Sequence, residues 1–173
     1  MSRNIALFIL ATWVFFLLTN VSADEADKIK KIQEDVKKVS SSVYDNDVET
    51  TLFYTHKKII EMMGGYEVAQ KLTSEALAKF SGAGMKVESL EFPSSPQFFK
   101  SSLNEFVFVP TLTVISMNGQ KIESLNFQLG IRELSSNAWK YVEGSRINKQ
   151  NVNQFFPDFP VDIDFPPIYR KKL

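Results

Sequence analysis

The 173-residue chain has no cysteine and a single histidine. The first absence excludes disulfide staples, and with them the small eukaryotic domains that depend on such bonds outside the cell. It also excludes a lipid-anchored lipoprotein, because no cysteine follows the N-terminal apolar run to take the lipid. One imidazole and no thiolate leave only scattered carboxylates as ligands, so no metal is expected. An excess of charge is missing too. Lys plus Arg and Asp plus Glu both number 20, which removes the electrostatic footprint that nucleic acid requires. Gly64-Gly65 lacks the GxxxxGK[ST] spacing of a phosphate loop. No motif implies a cofactor.

Long hydrophobic runs are also scarce. The one present, Ile5 to Leu18, is interrupted by Thr12, preceded by Arg3 and followed by the small residues Val21-Ser22-Ala23. It falls short of the roughly 18 to 20 residues that span a bilayer. The pattern predicts a secretory signal covering residues 1–23, cleaved after Ala23, and a periplasmic or secreted protein with no membrane attachment after cleavage. About 150 residues then remain, enough for one domain with one core. No linker or repeat divides them. Lys28, Lys30, Lys31, Lys37 and Lys38 form the only local basic concentration, and the acids interleaved with them indicate a solvated helix face.

The strongest local signal is Asn118-Gly119. A two-residue type I′ turn needs positive φ at both central positions, which Asn and Gly tolerate. With Met117 opposite Gln120, counting outward pairs Leu112 with Leu125, Pro110 with Phe127, Phe108 with Leu129 and Phe106 with Ile131. All eight are apolar and share one face, because side chains alternate along a strand. The other face carries Val107, Val109, Thr111 and Thr113 opposite Gly130, Gln128, Asn126 and Ser124. Arg132 falls opposite Glu105, on the half-polar face, and reads as a surface ion pair of little consequence.

Upstream, Ile29, Ile32, Val36, Val39 and Val43 make one narrow stripe on a helix over residues 24–43. Asp45-Asn46-Asp47 breaks and recaps the chain into a second helix from Val48 to Phe53. Lys57 to Met63 forms another, stopped by Gly64-Gly65. The helix Tyr66 to Phe80 sets Ala69, Leu72, Ala76 and Phe80 on one side. Met85 to Phe92 has strand character, and Pro93 to Pro96 must leave the sheet, since neither proline donates to a ladder. Residues 97–104 are expected as a connection, Ala138 to Glu143 as the last strand and Lys149 to Phe156 as a short helix. The remaining tail is rich in proline and aromatics. Phe155, Phe156, Phe159 and Phe165 are too apolar for a free tail, so residues 145–173 are expected to pack along the domain.

Helices first, then a sheet entered by one strand and finished by hairpins ending in Trp139-Lys140-Tyr141-Val142-Glu143-Gly144, is an α+β order. With the Asp45-Asn46-Asp47 step and the Tyr54-Thr55-His56 to Gly64-Gly65 segment, residues 27–144 resemble the nuclear transport factor two-like superfamily. This is the cone-shaped, cystatin-like architecture shared with ketosteroid isomerases and polyketide cyclases. More narrowly, the chain is similar to secreted bacterial members with a Tyr-Thr-His segment followed by Gly-Gly. The resemblance implies N-terminal helices packed in the concave face of a curved antiparallel sheet, around a cavity open at the wide end. It implies no activity, because the fold hosts enzymes and binding modules alike.

His56 is a candidate general acid or base, set against a histidine that merely bonds backbone at a helix junction. Tyr54 could donate to a ligand oxygen, or serve the core. Trp139 and Tyr141, pointing inward, would take Glu143 with them as a second catalytic candidate. The aspartate and tyrosine constellation of ketosteroid isomerases cannot be mapped onto this chain. Phe106, Phe108, Leu112, Phe127 and Leu129 are expected to wall the cavity. Many aromatics and few ionisable groups point to a non-catalytic protein binding a small apolar ligand or a protein partner. Two alternatives stand beside it: a cofactor-free isomerase or lyase using His56 or Glu143, and a homodimer through an outer sheet face of Val107, Val109, Thr111, Ile115 and Ile122.

Overall fold

The computed structural model describes residues 23–173, so the predicted leader lies outside the described residues. The chain forms α1 (Ala23–Tyr44), α2 (Val48–Tyr54), α3 (Lys57–Met62), α4 (Tyr66–Gly82), β1 (Lys86–Glu91), β2 (Gln97–Lys100), β3 (Asn104–Met117), β4 (Gln120–Glu133), β5 (Lys140–Glu143), α5 (Val152–Phe155) and β6 (Tyr169–Lys172). It is an α+β fold: helices first, then one curved antiparallel sheet. Among the described residues no helix is long and apolar enough to cross a membrane.

The sheet is organised by the hairpin. Asn118 and Gly119 take φ of 51° and 78°, and Met117 pairs with Gln120, which carries the expected register along 14 residues of each strand. Each long strand is flanked by two short ones in tandem. On β3, the tip half pairs with β1 and the base half with β2; on β4, the tip half pairs with β6 and the base half with β5. The segment after Lys100 is therefore not all connection. Residues 97–100 add a strand, because Phe98 and Phe99 alternate across the sheet and each finds its own core.

The two faces are covered in the reverse of the expected sense. Val107 and Val109, assigned from alternation to an outer dimer face, are fully buried beneath α1 with Ile32, Val36, Trp139 and Tyr141. Thr111 is buried as well, while Ile115 and Ile122 are half-buried near the tip. Phe106, Phe108, Phe127 and Leu129, assigned to an open cavity wall, are instead packed by Ile147, Val152, Phe156 and Phe159 of the C-terminal segment. Leu112 is half-buried nearer the tip. Alternation determines which residues share a face but not which layer that face meets. Side-chain size decides it here. Gly130 lies opposite Val107 and Tyr141, and a Cβ there would stand 2.6 Å from Val107 Cγ1 and 3.3 Å from the Trp139 ring. This hollow seats two large rings under α1, whereas the phenylalanine face takes aromatic fillers from the tail.

Asp47 caps α2, its carboxylate accepting from the Thr50 N–H at 2.9 Å. Helix α4 packs on α1, α2 and α3. It buries Ala69 and Leu77, whereas Leu72 and Phe80, expected on its inner side, are 45% and 41% exposed. The four expected residues do share one side, but the inward row runs Ala69, Thr73, Leu77, so the helix is rotated to turn Leu72, Ala76 and Phe80 out.

Gly144 ends β5 where the chain turns into the tail. A Cβ there would meet the Phe127 carbonyl oxygen at 2.6 Å and its ring at 2.7 Å, and the oxygen belongs to backbone held in the sheet. Gly144→Ala is expected to cost about 1–3 kcal/mol by overpacking, read as a lower urea midpoint with an unchanged slope.

Candidate functional site

Three polar side chains interrupt the sheet-facing stripe of α1, each two turns after the last: Lys28, Asp35 and Ser42. Each meets a partner. Lys28 Nζ lies 2.5 Å from Glu105 Oε1, and the other carboxylate oxygen accepts from Arg132 Nε at 3.1 Å and from Arg132 Nη2. Glu105 is 1% exposed, so this is a buried carboxylate held by two half-buried cations and not the surface pair expected. Burial pushes its carboxyl up, but the hydrogen bonds and charges of Lys28 and Arg132 outweigh this and hold it below the usual range. Both cations also face rings, Lys28 Nζ at 4.1 Å from the Phe98 centroid and Arg132 Cζ at 5.4 Å from Trp139.

Asp35, 7% exposed, sits between two tyrosines. Tyr54 donates to Oδ1 at 3.3 Å and Tyr141 to Oδ2 at 3.5 Å. Burial first, then the Asp35 charge, raises both phenols above their ordinary value, so they stay protonated as donors. Ser42 completes the series, its hydroxyl donating to the Val39 carbonyl and lying 2.9 Å from Thr51 Oγ1. All three clusters are internally satisfied.

His56 lies where α2 gives way to α3. Its N–H donates to the Tyr141 carbonyl at 3.2 Å, and the chain here runs beside β5 through a parallel bridge between Thr55 and Tyr141. The ring is the N-cap of α3: Nδ1 accepts from the Lys58 N–H at 3.1 Å. It also packs edge-on to Phe156, with centroids 5.0 Å apart. Burial, then the Lys57 charge, lowers its pKa from 6.5 to about 4. At neutral pH the imidazole is neutral, with one nitrogen committed to backbone. Because the folded value is depressed, His56 contributes stability above the unfolded pKa of 6.5 that is lost as pH falls through about 4. The chain's only imidazole signals should therefore titrate by NMR with a midpoint near 4, and Phe156→Ala, which uncovers the ring, should move that midpoint towards 6.5.

A cleft of about 330 Å³ opens beside this junction, between the α2–α3 segment and the start of β5. Leu52, Ile60, Ile131 and Ala138 give it an apolar lining; His56 and Lys140 add polar atoms, and Lys57 and Glu133 pair at 2.5 Å beside them. A second, of about 380 Å³, lies under the tail between Pro93, Pro110, Leu125 and Pro166. Glu143 borders neither. Its carboxylate accepts from Asn126 Nδ2 at 2.6 Å and from the Ser145 hydroxyl at 2.5 Å.

The expected site residues thus separate into three places. Tyr54, Trp139 and Tyr141 meet under α1; Phe106, Phe108, Phe127 and Leu129 lie on the opposite face; His56 borders the cleft, apart from Glu143. Sequence reasoning missed Asp35 and Lys140. Asp35 was detectable as an acid one position before Val36 on the buried stripe. Lys140 was not, because the side of β5 it occupies depended on how the faces are covered. No family model, curated protein or solved structure matches the chain.

Proposed function

We propose that the chain is a non-catalytic binding protein for a small apolar ligand, and that its site is the cleft beside β5, not the phenylalanine wall. The observation that carries this reading is the open apolar cleft, together with the internal use of both catalytic candidates and of the buried carboxylates elsewhere in the fold. His56 Nδ1 caps a helix, Asp35 is held by two phenols, Glu105 by two cations, and Glu143 by Asn126 and Ser145. A general acid–base pair needs both groups within reach of substrate; Glu143 lies outside the cleft and His56 has Nδ1 committed to the α3 cap, so the two cannot act together there. The cleft volume sits at the lower end of the roughly 300–1,000 Å³ of small-molecule sites. The cone-fold resemblance agrees with a binding role without specifying the guest.

The test uses the single histidine as a reporter. Small aromatic and aliphatic fragments are titrated into the protein while the imidazole signals are followed. Saturable shifts that disappear in Ile60→Trp, which fills the cleft, support the reading. Binding that leaves His56 unmoved, or survives Ile60→Trp, places the site elsewhere and overturns it.

A further inference from the structure

We infer that the guest carries one carboxylate, held by Lys140, with its apolar body on Leu52, Phe53, Ile60 and Ile131. This rests on the cleft being the site. Lys140 opens β5 opposite Ile131, and its stem runs from the sheet edge towards the α2–α3 junction. Its ammonium lies 4.0 Å from the centroid of the Phe53 ring and donates to the Phe53 carbonyl. Among the described residues no carboxylate stands within ion-pair distance of it, whereas Lys57 and Glu133, the other charges in the cleft lining, neutralise each other. The cleft therefore presents one uncompensated cation.

An ammonium has three N–H donors, and the Phe53 carbonyl takes one. Partial burial desolvates the ammonium and pushes the lysine pKa down, while its other two N–H groups reach no protein acceptor among the described residues. A bound carboxylate returns the lost partners as charge-assisted hydrogen bonds and restores the preference for the charged amine. The chemistry also limits the anion. A single point-like cation lacks the forked donors that favour phosphate. Glu133 at the same rim opposes a second negative charge. An aliphatic or aryl monocarboxylate satisfies both limits.

The probes are phenylacetate and hexanoate against their neutral amides, phenylacetamide and hexanamide, titrated by calorimetry and by the His56 signals. The wild type should bind each acid about tenfold tighter than its amide, the scale of one hydrogen bond to a charged group. Lys140→Met, which keeps the stem, should bind acid and amide alike; Lys140→Arg should restore the preference, and the double variant Lys57→Met with Glu133→Gln, which removes the neighbouring pair as a neutral unit, should keep a preference for the acid. A single cooperative urea transition verifies the fold of each variant. If acids and amides bind the wild type equally, or Lys140→Met keeps the preference, the anchor is wrong while the apolar cleft stands. Loss of the preference in the Lys57→Met/Glu133→Gln double variant means that the anchor was assigned to the wrong lysine. If no probe moves the His56 signals, the cleft reading itself fails.

Discussion

Glu105→Ala is expected to lower the unfolding free energy by about 1.5–3 kcal/mol, the scale of a hydrogen bond to a charged group. The size follows from what is left behind. With the carboxylate gone, Lys28 of α1 and Arg132 of β4 face each other across the space of a side chain that is 1% exposed, two like charges whose own side chains stay 32% and 23% exposed. The rings of Phe98 and Trp139 offset part of the loss by facing the cations, so the apolar packing holds them close instead of releasing them to water. Chemical denaturation measures the effect directly. A change under about 0.5 kcal/mol, the range of ordinary surface substitutions, would show that water screens the triad.

Glu105→Gln separates charge from shape. The folded state holds the Glu105 carboxyl below its ordinary 4.5, so its contribution is complete above that value and lost as pH falls through the lower folded pKa. Wild type and Glu105→Gln should differ most at neutral pH and converge in acid. The other carboxylates titrate in both proteins and cancel in the comparison. A constant difference from neutral pH into acid would mean that lost packing, not charge, causes the destabilisation.

The triad also shows where sequence reasoning stops. The pairing of Glu105 with Arg132 was legible, since it follows from a turn at Asn118-Gly119 and a count along two strands. Its burial was not, because Lys28 comes from a helix 77 residues away and no local rule brings α1 over that face. The same gap explains the inverted covering. Periodicity identified α1 through α4 to within a residue or two, and turn chemistry identified the hairpin. Which helix or tail lies on Phe108 and which on Val109 depends on complementary volumes contributed from distant parts of the chain. The cleft suffers most from this, as it is assembled by α2, α3, the end of β4 and the start of β5. His56 could be named from its chemistry alone; Lys140 required the packed structure.

Phe159→Ala is expected to cost about 3–5 kcal/mol, and removal of residues 147–173 to abolish cooperative unfolding. Phe159, 3% exposed, meets four other phenylalanines, Phe99, Phe106, Phe108 and Phe165, with centroids 5.0 to 6.2 Å apart. Its ring joins the base strand β2, the central strand β3 and the returning tail. The backbone around it is fastened too: Asn153 Nδ2 donates to the Phe159 carbonyl, and Asp158 accepts from Ser101 and Asn104. Without the tail, the buried row Phe106, Phe108, Phe127 and Leu129 would form one apolar patch on the sheet, and the tip half of β4 would lose β6 as its partner. The truncated chain should aggregate or bind a hydrophobic dye such as ANS, while Phe159→Ala should unfold in one transition at lower urea. A soluble truncated chain with a sharp transition would show that α1 and the hairpin suffice as a core. The tail would then be an accessory to the domain instead of its second layer.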